Sequence, residues 1–395
     1  MSDDETYAPA TRLIHAGRRP EWTHGVVNPP VYHASTCIFD TLAEMDARVR
    51  DPSSGLYYGR RGTPTQWALE EALTQMEPGA GGTKLFPSGL AAVAGALLAV
   101  LKCGDHLLMV DSVYEPTRTL CDRRLKALGI ETTYYAPGAD ITPLLRPNTR
   151  AVFTESPGSL TFEVQDIPAL AEAAHKAGAL VLMDNTWATS LYFKALPHGV
   201  DVMVQALTKY VVGHSDALLG AATTTPELWK DFAAAVHNFG YCAAPDDAML
   251  ALRGLRTLDV RLARHHANGL AVARWLEGHP EVARVLHPAL PGAPGHALWQ
   301  RDFGGASGLF AMQLRRGERA DLAALVDGLK LFKMGFSWGG YESLILPVRL
   351  VGIRTADPWP DEGGPLVRLH IGLEDPADLI ADLDAGLQRY SAAVT

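Results

Sequence analysis

The chain has 395 residues, 47% of them hydrophobic and 20% charged, which excludes disordered, collagen-like and small disulfide-stapled proteins. Its 35 Lys and Arg stand against 44 Asp and Glu, a formal charge of −9. That field repels phosphate backbones, and no basic patch offsets it, so nucleic-acid binding is not expected. The opening residues are acidic (Asp3, Asp4, Glu5) and no apolar core follows, so no secretory signal is expected. Residues 1–60 are broken up by Pro and Gly. They read as an arm, extended through VVNPPVYHASTCIFD, then helical at 42–49, that packs on a neighbouring subunit.

From residue 61 the pattern changes. Helix is expected at 67–76, a strand and turn at KLFPSG, and helix at 89–101. That apolar helix is too short to span a bilayer. Strand 106–110, helix 116–128, strands 132–135 and 151–154, helix 167–177, and strands 180–184 and 202–206 follow, with another strand at 218–223. Short continuous apolar strands alternating with helices imply a mainly parallel sheet buried on both faces. After residue 245 a long helix is expected over 248–273, continuing to about 276. Strands at 309–314, 344–348 and 367–371 and a final helix at 377–390 come next. The chain therefore reads as α/β: an arm (1–60), a large mainly parallel-sheet domain (61–245) and a smaller C-terminal α+β domain (246–395).

The four cysteines, Cys37, Cys103, Cys121 and Cys242, lie at no metal-ligand or redox spacing. Free thiols in the cytoplasm and no metal site are expected. His265 and His266 are adjacent, so they do not share a helix face. His214 and His370 read as structural.

Ligands of an open α/β sheet sit beyond the carboxyl ends of its strands. KLF is followed by Pro87-Ser88-Gly89-Leu90 at a helix start, ALVLM by Asp184, and VMVQA by Thr208-Lys209. Each feature alone has an ordinary explanation: a cap for Ser88, a cap for Asp184, a solvated surface position for Lys209. Together they suit one chemistry. Free N–H groups at a helix N-terminus bind phosphate. A carboxylate keeps a pyridine nitrogen protonated, and a lysine forms a Schiff base. These are a protein's contributions to a pyridoxal 5'-phosphate site.

MDNTWA followed by TKYVVGHSDALLG, with Lys209 25 positions after Asp184, resembles the Cys/Met-metabolism family of pyridoxal-phosphate enzymes. YGRRGTPT, VYEPT and ESPGS fit the same family. FSWGGYESLILP and VRLHIGLEDPADLIADL resemble its bacterial cystathionine β-lyase branch in particular. The resemblance implies the fold type I architecture of aspartate aminotransferase, with Lys209 as cofactor lysine and proton shuttle, Asp184 as partner of the pyridine nitrogen, and Tyr114 stacked on the ring. It implies phosphate contacts from Gly89, Leu90 and Thr208, and from Tyr58 and Arg60 of an adjacent subunit, within a homotetramer of two dimers. It makes Arg368 the clamp for a substrate α-carboxylate, which a guanidinium fork grips bidentately. Ser337 and Trp338 become pocket walls, with Tyr58 beside the substrate. Many relatives carry Ser where this chain has Ala206, which removes one hydroxyl from the phosphate site.

The activity implied is α,β-elimination of L-cystathionine to homocysteine, pyruvate and ammonia. Three alternatives stay open: γ-elimination or γ-replacement, a broad cysteine-S-conjugate lyase or desulfhydrase, and a non-catalytic regulator on the same scaffold.

Overall fold

The computed structural model describes residues 7–52, 54–350, 352–360 and 363–394; the acidic opening lies outside them. The chain after the arm builds two sheets. Strands β1 (Gly82–Phe86), β2 (His106–Val110), β3 (Glu131–Tyr135), β4 (Thr149–Glu155), β5 (Leu180–Asp184), β6 (Val202–Gln205) and β7 (Gly220–Thr224) form the first, in the order β1-β7-β6-β5-β4-β2-β3. Five of them, from β6 to β3, are parallel to one another, and β7 runs antiparallel to both β6 and β1. Continuous apolar strands such as HLLMV are wholly buried, because helices cover both faces. The helix Gly89–Val100 packs over β6 and β7.

Strands β8 (Val282–Leu286), β9 (Leu309–Leu314), β10 (Lys333–Met334), β11 (Leu344–Val348) and β12 (Leu366–His370) form the second sheet, ordered β10-β11-β12-β9-β8. It is antiparallel except for the β10–β11 pair. Helix Leu258–Glu277 packs against β8, β9 and the helix Pro376–Ala393, whose apolar face shares one buried cluster with the sheet. No helix among the described residues is long and apolar enough to cross a membrane.

The long helix expected over 248–273 is two helices, Pro245–Leu255 and Leu258–Glu277. Two contacts explain the break. A Cβ on Gly254 would lie 2.3 Å from the Val211 carbonyl oxygen, so the first helix runs directly against the backbone after Lys209. Arg261 then donates to the carbonyls of Gly254 and Tyr210, each at 2.7 Å, taking an acceptor at which the helix would otherwise continue. The helix expected over 116–128 begins as Glu115–Thr119 and widens into a π turn at Leu120–Leu125. The arm contains two unexpected short helices, Pro9–His15 and Pro20–Thr23, before the expected one, Leu42–Arg50. The helix Pro226–Phe239 was not legible either.

A clasp joins the second sheet's connecting loop to the first sheet. Asp111, buried just beyond β2, accepts from the backbone N–H groups of Thr355, Ala356 and Asp357 at 2.8–2.9 Å and pairs with Arg118. These donors hold its carboxyl below the usual range against the opposing cost of burial.

Candidate active site

The carboxyl ends of β4, β5 and β6 sit side by side, and each delivers one ionisable group. Asp184 closes β5 and lies in register with Glu155 at the end of β4. Thr186 fixes Asp184: its N–H donates to Oδ1 at 2.9 Å, and its hydroxyl bonds the same oxygen. The Thr186 hydroxyl also accepts the N–H of Ala206 at 2.8 Å, tying the end of β5 to the segment that carries Lys209. Burial raises the Asp184 carboxyl, while the Thr186 bonds and the nearby Lys209 cation oppose the rise.

The helix Gly89–Val100 starts beside this segment. A Cβ on Gly89 would lie 2.5 Å from the Ala206 Cβ, so two small residues let the helix end come close to the β6 end. The Ser88 hydroxyl caps the N–H of Ala91 at 3.1 Å. The N–H groups of Gly89 and Leu90 bond to no acceptor among the described residues. Free N–H groups at a helix N-terminus are the usual seat of a phosphate.

Lys209 reaches across to the second sheet's loop. Its Nζ donates to Ser337 Oγ at 2.6 Å and lies 5.3 Å from the Trp338 ring centre. Burial and then the Arg368 cation push its amine down to about 8, with Asp184 pulling the other way. Arg368, on β12, donates from Nη2 to the Ser337 carbonyl at 2.8 Å, while its Nη1 and Nε bond to no acceptor among the described residues. Burial lowers the guanidinium to about 10, so it stays a cation at neutral pH. One residue thus touches both cations, with its side-chain oxygen on Lys209 and its main-chain oxygen on Arg368. Ser337 does so from a left-handed backbone, φ +77°.

The next residues press on the lysine's own backbone. Gly339 has φ +89°, and a Cβ there would lie 2.8–2.9 Å from backbone atoms of Lys209 and Tyr210. Only glycine fits. Behind it, buried His370 places Nε2 3.2 Å from the Gly339 nitrogen and 3.1 Å from the Gly340 carbonyl oxygen. One ring nitrogen serves one of those partners at a time, and burial keeps the imidazole neutral. Tyr210 fills the space beneath, with ring centres 5.4 Å from Trp338 and 5.8 Å from His370.

Tyr114 follows β2, and its side chain stands half-exposed at the cleft. Burial, then the neighbouring carboxyl groups of Glu155 and Asp184, raise its phenol, so it holds its proton at neutral pH.

Three expected phosphate ligands stand differently. The Thr208 hydroxyl donates to the Leu219 carbonyl at 3.1 Å and accepts the Leu219 N–H at 2.9 Å, so its proton is already engaged. Tyr58 forms an isolated bridge with Thr36, and Arg60 donates to the His237 carbonyl at 2.9 Å. Neither has a contact with Lys209, Asp184 or Arg368 within the chain. Glu155, Thr186 and Tyr210 were not assigned from sequence, although they lie inside the motifs ESPGS, MDNTWA and TKYVVGHSDALLG.

The donor set fits pyridoxal 5'-phosphate: free N–H groups for a phosphate, a buried carboxylate for a ring nitrogen, and a desolvated amine. Comparison with known proteins agrees. Residues 10–388 match the model of the Cys/Met metabolism PLP-dependent enzymes. A putative cystathionine β-lyase of Rhizobium johnstonii is 52% identical over 97% of this chain and 96% of its own length. A cystathionine β-lyase of Escherichia coli is 48% identical over 96% and 98%. The crystal structure of a cystathionine γ-synthase from Xanthomonas oryzae superposes with a TM-score of 0.88 at 33% identity, covering 98% of this chain and 100% of that one. The chain belongs to the Cys/Met metabolism family of PLP-dependent enzymes.

Proposed function

We propose that this protein is a carbon–sulfur lyase that performs α,β-elimination on L-cystathionine, releasing homocysteine, pyruvate and ammonia. The observation that carries the reading is Ser337 bridging Lys209 and Arg368 beside Asp184. It sets a proton-accepting amine and a carboxylate clamp at a fixed separation, as removal of an α-proton from a held amino acid requires. The identity to cystathionine β-lyases supports the choice of substrate.

The open edge of Arg368 grips the substrate α-carboxylate and orients the Cα–H bond toward Lys209. Pyridoxal phosphate, when bound, supplies the electron sink for the charge left on Cα. Asp184 would keep the ring nitrogen protonated, Gly89 and Leu90 would hold the phosphate, and Tyr114 would pack on the ring. Lys209 takes the α-proton at Nζ, and Ser337 steadies that nitrogen. The Cβ–S bond then breaks, one proton passes to the departing sulfur from either Lys209 or Tyr114, and the released three-carbon product takes up water to give pyruvate and ammonia. Trp338 narrows the pocket wall on the lysine side.

The reading includes a homotetramer of two dimers, in which Tyr58 and Arg60 complete the neighbour's site. An arm that exposes Val27, Ile38 and Leu42 supports an assembly. It includes a cytoplasmic setting, supported by four free thiols. It also includes domain divisions near residues 60 and 245.

Product analysis on L-cystathionine tests the chemistry. Homocysteine with pyruvate is the expected outcome. Cysteine with oxobutyrate would mean γ-elimination at the same lysine and would sink the β-specific reading.

A further inference from the structure

The ESPGS motif has no part in the mechanism above, yet its first residue lies at the centre of the site. Glu155 ends β4 in register with Asp184. Its Oε2 accepts the backbone N–H of Tyr114 at 2.8 Å, and its Oε1 bonds to no donor among the described residues. Tyr114 occupies the position before the helix Glu115–Thr119, so this bond ties the Tyr114 backbone, at the head of that helix, to the end of β4.

We propose that Glu155 is a positioning residue that acts as a neutral carboxylic acid: it anchors the Tyr114 backbone and leaves the negative charge of the carboxyl pair on Asp184. The inference rests on the cofactor assignment of the preceding section. Two neighbouring carboxyl groups in a desolvated cleft cannot both ionise cheaply. The donors decide which one does. Asp184 receives the N–H and hydroxyl of Thr186 and faces the Lys209 cation, whereas Glu155 receives one backbone N–H. Burial and the Asp184 anion together push Glu155 well above the ordinary carboxylate range. The charged or titratable groups around the pair are Asp184 on β5, Lys209 after β6, Tyr114 and Glu115 after β2, and Arg368 on β12. A neutral Glu155 explains why an acid can sit here without competing with Asp184 for the cofactor's ring proton.

The test uses the holoenzyme of E155Q and E155A. Glutamine keeps an acceptor oxygen for the Tyr114 N–H and cannot ionise; alanine removes the anchor. Without substrate, the pH at which the visible cofactor band titrates should stay at the wild-type value in E155Q, because no charge is lost. With substrate, E155A should show kcat/KM about tenfold below E155Q, the scale of one lost hydrogen bond. A downward shift of the band's midpoint in E155Q by about half a pH unit or more would overturn the proposal. Removing a true anion weakens the protonated form of a neighbouring amine. Equal kcat/KM in the two variants would also overturn it, by removing the anchor. If E155A does not fold, the E155Q midpoint decides alone. The band midpoint bears only on this inference and the product analysis only on the substrate, so the two can fail separately.

Discussion

Lys209 is the residue whose chemistry is most exposed to test. Its amine is held at about 8 by burial and by Arg368, against the pull of Asp184. A cationic acid loses its proton as pH rises, and in the proposed mechanism the base form takes the α-proton. The turnover number on L-cystathionine should therefore fall as pH drops below about 8 and level off above it. A kcat profile that is flat from about pH 6 to about pH 10 would argue that another group is the base. Lys209, Asp184 and Arg368 were legible in the sequence because each has the right chemistry at a strand end or inside a long motif. Glu155 and Thr186 were assigned no role and His370 was read only as structural, because their partners come from contacts across the fold. His370 meets Gly339 from 31 positions away, and nothing local to either residue announces it.

At the scale of elements, the loop 337–340 sets the active-site geometry. It supplies the oxygen atoms that hold both cations, and it lies against the backbone of the lysine it serves. Gly339→Ala puts a methyl group 2.8–2.9 Å from Lys209 and Tyr210 backbone atoms at a φ that disfavours any side chain. The variant should lose about 1–3 kcal/mol of stability, readable by chemical denaturation. It should lose at least about tenfold in kcat/KM as Ser337 shifts. A variant with wild-type kinetics would show that the loop does not set the position of Lys209. Strands β2, β5, β9 and β11 begin and end where the apolar pattern places them. Those runs are fully or nearly continuous and bounded by turn residues. The break between Leu255 and Leu258 was not legible, since the Val211 carbonyl presses on it from outside the helix and the bond from Arg261 to the Gly254 carbonyl forms only against that backbone. Strand β10 is two exposed residues and leaves no pattern to read.

At the scale of the whole molecule, the proposed assembly makes the arm of one chain complete the site of its neighbour. Lys209→Ala and Tyr58→Phe/Arg60→Ala proteins should each be nearly inactive. Mixed after dissociation, they should recover on the order of a quarter of the wild-type sites, because half of randomly paired dimers carry one intact site. No recovery in verified mixed dimers would mean that Tyr58 and Arg60 serve their own chain. The βα alternation made the large sheet legible from composition and period alone. The second sheet was less so, because antiparallel strands such as β8, with two exposed residues in five, lack a continuous apolar run.

The clasp at Asp111 gives this architecture a clock. Three consecutive backbone N–H groups, those of Thr355, Ala356 and Asp357, all point at one buried carboxylate. Those hydrogens meet solvent only when the loop lifts from the end of β2. Their exchange with deuterium therefore times the lifting of that loop, independently of any turnover. Asp111 also stands three positions before Tyr114, so the motion that frees those hydrogens loosens the wall of the cleft as well.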